Sequence, residues 1–211
     1  MQRTFLQHAI HEINTPLSVI MNNIELYELE HGKHNYLSNI EAAMKNIYGI
    51  YDDLSYLINK NQINYPKKEI ALVDFVRSRI EFFNVVAKQA NIRFVFRTNC
   101  DENYLYINES KLQRIIDNNI TNAIKYTKEH QDVTISLYNN PDYCLLSFES
   151  KSMLIQDVEK IFQAYYRESS NKEGLGLGLN LVKQICDEED IKIEVISTPE
   201  CTQFCYKIPR R

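Results

Sequence analysis

The sequence predicts a chain of two parts, a helical hairpin followed by an α+β sandwich, and three observations carry that prediction. From Ile10 to Ile58 apolar residues recur at alternating spacings of three and four, the period of a helical seam. A polar segment, Asn61 to Lys68 with Pro66 inside it, then breaks the period. Beyond it helical stretches interleave with paired runs of period two, which calls for helices on one face of a mixed sheet. With 211 residues and 44% hydrophobic content the chain can bury two small cores. The boundary is placed so that residues 1–64 form the first domain and 65–211 the second.

In the first domain Ile10, Ile13, Leu17, Ile20, Ile24 and Tyr27 make one seam. Leu37, Ile40, Met44, Ile47, Tyr51, Leu54 and Ile58 make the other. The polar stretch Glu28 to His34, which holds Gly32, is short enough that the two helices run antiparallel. Two such apolar faces are too wide to be satisfied within one hairpin. The heptads therefore predict a homodimer, two hairpins forming a four-helix bundle.

In the second domain the pattern predicts a helix over Val73 to Lys88, strands over Ile92 to Arg97 and Tyr104 to Ile107, and a helix over Ser110 to Lys125. Val133 to Tyr138 and Tyr143 to Phe148 alternate as a hairpin around Asn139-Asn140-Pro141-Asp142. A third helix follows over Leu177 to Glu188, and Ile191 to Ile196 with Gln203 to Ile208 reads as a closing hairpin.

Composition narrows the function classes. A net charge of −4 with no long Lys/Arg run argues against nucleic acid as the partner, because neutralising phosphates needs a concentrated basic surface. No apolar run approaches the ~20 residues of a membrane helix, and no signal peptide opens the chain, so no membrane contact is expected of this fragment. The five cysteines are odd in number and lack metal-ligand spacing, which fits reduced packing residues in a cytoplasmic chain. The helical pattern starts almost at Met1 with no sensing domain ahead of it. We therefore expect an excised fragment, whose parent an inner-membrane anchor would suit.

The chemistry is concentrated in three places. His11 follows seam position Ile10, so it flanks the buried stripe and projects toward solvent, with Asn14 and Thr15 one turn on. Pro16 cannot donate to the Glu12 carbonyl and crowds that turn, so the helix should bend beside the histidine. Alone, such a histidine is a surface residue of a bundle. His8, His11 and Glu12 could also gather a metal, but the partner helix supplies no second ligand cluster. On the helix after Ser110, Asn118 and Asn122 lie one turn apart on the polar face with Lys125 a turn further. Asparagine carbonyls are hard oxygen ligands of the kind Mg2+ takes, and a lysine adds charge for phosphates. Three of the five glycines, Gly174, Gly176 and Gly178, precede a helix start, where backbone N–H groups can meet an anion.

His11-Glu12-Ile13-Asn14-Thr15-Pro16, then Asn118-Asn119-Ile120-Thr121-Asn122 to Thr127, then Gly174 to Leu179, in that order, resemble the H box, N box and second glycine box of sensor histidine kinases. Ile161 to Arg167 resembles the family's F box, and Glu168 to Glu173 an abbreviated ATP lid. The resemblance spans nearly the whole chain. It implies a dimerisation and phosphoacceptor domain followed by an α/β sandwich of the GHKL ATPase/histidine kinase type, with ATP and Mg2+ as cofactors. It further implies that His11 is phosphorylated, that Glu12 holds the other ring nitrogen, and that Thr15 orients a water for dephosphorylating a response regulator. By the same resemblance Asn122 is the metal ligand, with Asn118 supporting it. Lys125, Tyr126, Arg167, Gly174, Gly176, Gly178 and Leu179 line the nucleotide.

One box departs from the pattern. Where the family has Asp-x-Gly-x-Gly, this chain has Glu149-Ser150-Lys151-Ser152-Met153-Leu154-Ile155. Counting back from Phe162 and Ile155 puts Ser150 at the aspartate position, and a shift of one would put Glu149 there. The implied function is ATP-dependent autophosphorylation of His11 and transfer to an aspartate of a response regulator receiver domain, with phosphatase activity toward that regulator. The alternatives are a nucleotide-deficient pseudokinase acting as a dimeric scaffold or phosphotransfer adaptor, and an ATPase or serine kinase on the same fold.

Overall fold

The computed structural model describes residues 2–32, 34–59, 66–100, 103–168 and 176–210. The chain divides into two compact units, Met1–Asn64 and Tyr65–Arg211.

The first unit is a helical hairpin of α1 (Gln2–His31) and α2 (Asn35–Asn59). Gly32 closes α1 in the left-handed region (φ +81°), its N–H bonded to the Glu28 carbonyl at 2.9 Å. The helix runs unbroken through Pro16. Within the single hairpin the seams split into two sets seven residues apart. Leu17, Ile24 and Met44 are 6–7% exposed, whereas Ile13, Ile20, Tyr27, Ile40 and Ile47 stay 43–50% exposed. Each helix thus turns one half of its heptad stripe to its hairpin partner and leaves the other half uncovered by this chain.

The second unit layers three helices on a five-stranded sheet. Its strands are β2 (Arg93–Thr98), β4 (Asp132–Asn139), β5 (Tyr143–Ser150), β6 (Lys192–Ser197) and β7 (Thr202–Pro209), in the order β2-β4-β5-β7-β6. β2 is parallel to β4 and every other pairing is antiparallel, so the sheet is mixed. The helices are α3 (Leu72–Gln89), α4 (Glu109–Tyr126) and α5 (Gly178–Glu188). The centres of their apolar stripes, Val76, Ile116 and Leu181, are fully buried, as are Ile135, Leu146 and Tyr206 of the sheet.

The polar stretch Glu28 to His34, expected as the turn of the hairpin, is helical as far as His31, and a second departure from expectation lies at Lys68. Lys68, taken as the end of a polar linker, begins a strand, β1 (Lys68–Ala71), paired antiparallel with β3 (Tyr104–Ile107) in a separate small sheet. Four residues with only Ile70 buried are too short to display a period of two.

The ends of α4 are set by its sequence. Asn108 caps its N-terminus, the side-chain carbonyl accepting the Lys111 N–H at 2.9 Å, while the Asn108 amide donates to the Pro66 carbonyl at 3.0 Å. At the far end Thr127 leaves the helix in extended geometry and forms an antiparallel bridge with Ser152. All five cysteines are free, and burial pushes the Cys144 and Cys186 thiols up to about 11 and about 12, which leaves both as unreactive packing groups. Among the described residues no helix is long and apolar enough to cross a membrane.

Candidate functional site

The site gathers where α4, the start of α5 and the segment after β5 meet. Gly178, the first residue of α5, lies directly against Asn118 of α4. A Cβ there would stand 2.1 Å from the Asn118 side-chain oxygen. Gly176 is in the left-handed region (φ +69°), and a Cβ there would come within 2.9 Å of the backbone of Tyr165 and Tyr166. The Tyr165 N–H donates to the Gly176 carbonyl at 2.8 Å, which fastens the end of the F-box segment to the glycine loop. Both glycines are therefore required by close approach of the protein to itself, a reason the sequence pattern alone did not reveal. Gly174 and the lid residues 169–173 lie outside the described residues.

α5 starts at Gly178 with Leu177 as its cap and no side-chain cap bond, so its first N–H groups are free of helical partners. Leu179 is the second helical residue and half-buried. Asn180 on the next position donates to the Phe162 carbonyl at 2.9 Å and accepts from Gln184 at 2.7 Å. This ties the helix to a short 3₁₀ turn, Lys160–Phe162.

On α4 the asparagines divide by function. Asn118 is half-buried and donates to the Arg114 carbonyl at 3.1 Å, which leaves its oxygen directed toward Gly178. Asn122, one turn on and also half-buried, has no side-chain hydrogen bond among the described residues, and its carbonyl oxygen suits a hard cation. Asn119 was assigned no role from sequence, and it is a core residue. It is 3% exposed, donates to the Ile115 carbonyl at 2.7 Å and accepts from the Tyr206 hydroxyl at 2.9 Å. Burial raises the Tyr206 hydroxyl well above its ordinary value, so the phenol stays protonated and donating. The signal was present in sequence: Asn119 stands one turn after Ile115, on the apolar stripe.

Lys125 places its ammonium 5.2 Å from the centre of the Tyr126 ring. Burial raises the Tyr126 hydroxyl, Arg167 opposes that shift and Glu168 reinforces it, so both lid-flanking charges lie within electrostatic reach of this ring. Glu168 accepts the N–H groups of Gln156 and Asp157 at 2.8 and 3.0 Å, anchoring the first residue of the lid to the loop after β5. Ser150 closes β5, buried, paired with Val133 of β4 and Thr202 of β7. Glu149 is exposed, so of the two residues at the aspartate position only Ser150 faces inward with Leu146 and Phe148.

His11, Glu12 and Thr15 are carried on α1 of the first unit, and their side chains lie outside the described residues, as does the alternative His8, His11, Glu12 metal set. Among the described residues no group of three or more His, Cys, Asp or Glu side chains could hold a metal.

Residues 1–60 match the family model of the His Kinase A (phospho-acceptor) domain. Residues 107–211 match that of the histidine kinase-, DNA gyrase B- and HSP90-like ATPase. The sensor histidine kinase WalK of Bacillus subtilis is 26% identical over 199 residues, covering 87% of this chain and 32% of WalK. The sensor protein CiaH of Streptococcus pneumoniae is 26% identical over 198 residues, covering 88% of this chain and 44% of CiaH. The chain thus spans less than half the length of either relative. A crystal structure of the histidine kinase ThkA in complex with the response regulator protein TrrA superposes with a TM-score of 0.65 at 20% identity, covering 97% of this chain and 60% of that one.

Proposed function

The chain belongs to the sensor histidine kinases of two-component systems, and from that premise we propose that it is an ATP-dependent autokinase that phosphorylates its own His11 and passes the phosphoryl group to an aspartate of a response regulator. The observation that carries the nucleotide half of this reading is the contact of Gly178 with Asn118. It sets the free N–H groups of α5, an anion site by dipole and donor geometry, beside the Asn118–Asn122 face of α4.

In the proposed site Gly174, Gly176, Gly178 and Leu179 cradle the phosphates, with Lys125 and Arg167 supplying positive charge. Tyr126 offers a half-buried ring to the base, and Ser150 reads its edge. Asn122, supported by Asn118, would hold Mg2+, which when bound neutralises phosphate charge. The residues present fit that ion, since Asn122, one helical turn from Asn118, carries a carbonyl oxygen with no hydrogen bond among the described residues.

The lone pair of one His11 ring nitrogen attacks the γ-phosphorus in line. The bond from that phosphorus to the β,γ-bridging oxygen breaks, and its electrons leave with ADP. Glu12 accepts the hydrogen bond, and then the proton, of the other ring nitrogen, which keeps the attacking nitrogen unprotonated beforehand and discharges the imidazolium afterwards. A carboxylate oxygen of the regulator's aspartate next attacks the phosphorus, the N–P bond breaks with its electrons returning to the ring, and Glu12 gives its proton back to the other ring nitrogen, which restores neutral histidine and the Glu12 carboxylate. Thr15, one turn from His11, orients the water that later removes the phosphoryl group from the regulator. Because His11 and the proposed ATP site belong to different units, chemistry requires the second unit to bring its nucleotide to the helix.

The uncovered stripe of Ile13, Ile20, Tyr27, Ile40 and Ile47 supports homodimerisation through the hairpin. A second copy presents the same stripe, and two hairpins close one four-helix core. The purified 24.9 kDa chain should therefore sediment at twice its mass, and a monomer at micromolar concentration would overturn the dimer.

The test of activity is incubation with Mg2+ and γ-labelled ATP, followed by addition of a receiver domain. The expected result is an acid-labile label that accumulates on the chain and leaves it when the receiver is added. No label, with no thermal shift from ATP, would replace this reading with that of a dimeric scaffold without nucleotide.

A further inference from the structure

Three hydroxyl side chains meet at the end of the central strand, where the family resemblance leads one to look for an acid. Ser150, Ser152 and Thr127 are each 6–9% exposed, while Glu149 and Lys151 between and beside them are exposed. Ser150 and Ser152 are two apart in extended chain, so their side chains share a side. Thr127 is bridged antiparallel to Ser152, which puts its side chain on that side as well. The Lys128 N–H bonds to the Lys151 carbonyl at 3.1 Å and locks this register. Thr127 directly follows Tyr126, the last residue of α4, whose half-buried ring lies under the Lys125 ammonium.

Two features of the cluster concern a ligand rather than packing. Every member is neutral at all ordinary pH values, with no carboxylate among them. The Thr127 hydroxyl oxygen is enclosed and has no hydrogen-bond partner among the described residues. A buried polar atom left in that state is costly, so a polar group at the site is favoured.

Resting on the reading that this site takes a nucleoside triphosphate with its base beside Tyr126, we propose that the pocket does not discriminate adenine from guanine and accepts both ATP and GTP as phosphoryl donors. An ionised carboxylate can only accept hydrogen bonds. It pairs with the exocyclic amino group of adenine and repels the carbonyl oxygen that guanine carries at the same position. A hydroxyl both donates and accepts. Ser150 can rotate to accept from the adenine amino group or to donate to the guanine carbonyl. Among the three described side chains of this cluster the source of strong discrimination, a fixed-polarity group left unpaired by the wrong base, is missing. Stacking on Tyr126 and phosphate contacts at α5 are shared by both nucleotides and do not separate them.

The experiment titrates the full chain with MgADP and with MgGDP by calorimetry, alongside Ser150→Asp. Wild type should bind the two within about tenfold of each other, and Ser150→Asp should widen the ratio in favour of ADP by tenfold or more. ADP binding that is over about a hundredfold tighter than GDP in wild type would overturn this inference while leaving the nucleotide reading intact. Binding of neither nucleotide would overturn both. Since the wild-type ratio is decisive by itself, the inference stays testable even if the aspartate at a buried position prevents folding of the variant.

Discussion

His11→Gln is expected to abolish the acid-labile label on the chain while leaving nucleotide binding unchanged. Glutamine keeps a similar length and polarity on α1, but its amide nitrogen has its lone pair delocalised into the carbonyl and is no nucleophile. A phosphoryl group on a histidine nitrogen is lost in acid, whereas esters of serine, threonine and tyrosine survive it, so the chemistry of the label identifies the acceptor. The proposed nucleotide site lies within residues 107–211, in the unit that begins at Tyr65, and a substitution at position 11 changes none of its residues. MgADP at a hundred times its dissociation constant should then stabilise both proteins equally, by about 2.7 kcal/mol. Label that persists in the variant and resists acid would point to a kinase acting on hydroxyls. Loss of nucleotide stabilisation together with the label would mean that His11 is a structural residue.

How much of this could be read from sequence depends on how far each feature is carried by local periodicity. α2 to α5 and the pairs β4/β5 and β6/β7 are long enough for a period to declare itself, and the structure places each within a residue or two of the expected span, while α1 continues to His31, into the polar stretch Glu28 to His34 expected as the turn. β1 was not legible, because its four residues are held by pairing with β3, more than thirty residues away in sequence, and not by any pattern of their own. The parallel pairing of β2 with β4 is likewise tertiary information.

The site divides in the same way. The Asn118–Asn122 face and the glycine loop were announced by their order with the histidine segment, since two asparagines alone are most often a solvated helix face and a glycine run alone is a weak signal. Whether a ligand or a close approach required them could not be told from spacing. Gly178 and Gly176 answer to Asn118 and to the Tyr165 backbone, contacts made across the fold. The choice between Glu149 and Ser150 also needed the strand, because only the pleat assigns one to solvent and the other to the interior. Thr127 was named only as the last letter of a motif. Its burial comes from the bridge to Ser152, which sequence does not encode locally.

Glu189→Ala is expected to destabilise the second unit by about 3 kcal/mol at neutral pH, the lower end for breaking a buried ion pair. Glu189 follows the last turn of α5 with only 6% of its side chain exposed. It accepts from Lys111 at 2.6 Å and Lys67 at 2.5 Å, and Lys111 also reaches Glu188 at 3.1 Å. Removing the carboxylate strands the Lys111 ammonium, which is 14% exposed, although Glu188 retains part of the pairing and Lys67 can turn toward water. Burial works to raise the Glu189 carboxyl, but the hydrogen bonds and charges of Lys111 and Lys67 outweigh it and hold the group below its ordinary 4.5. A depressed carboxyl stabilises the fold fully above its unfolded value and loses that contribution as pH falls through the folded one. Lys111 is opposed by burial but raised on balance by Glu189 and Glu188, so its contribution is complete below 10.5 and fades only at higher pH. The gap between wild type and Glu189→Ala should accordingly be widest between about pH 5 and pH 10 and shrink below about pH 4, measured as the urea midpoint of the second unit. A gap independent of pH would assign Glu189 a packing role instead. The consequence for function follows from position. Lys111 lies in the first turn of α4 and Glu189 just past the end of α5, so the ion cluster fastens one end of an antiparallel helix pair. At the other end Gly178 meets Asn118, and a looser cluster would let that contact, and the proposed phosphate site with it, drift apart.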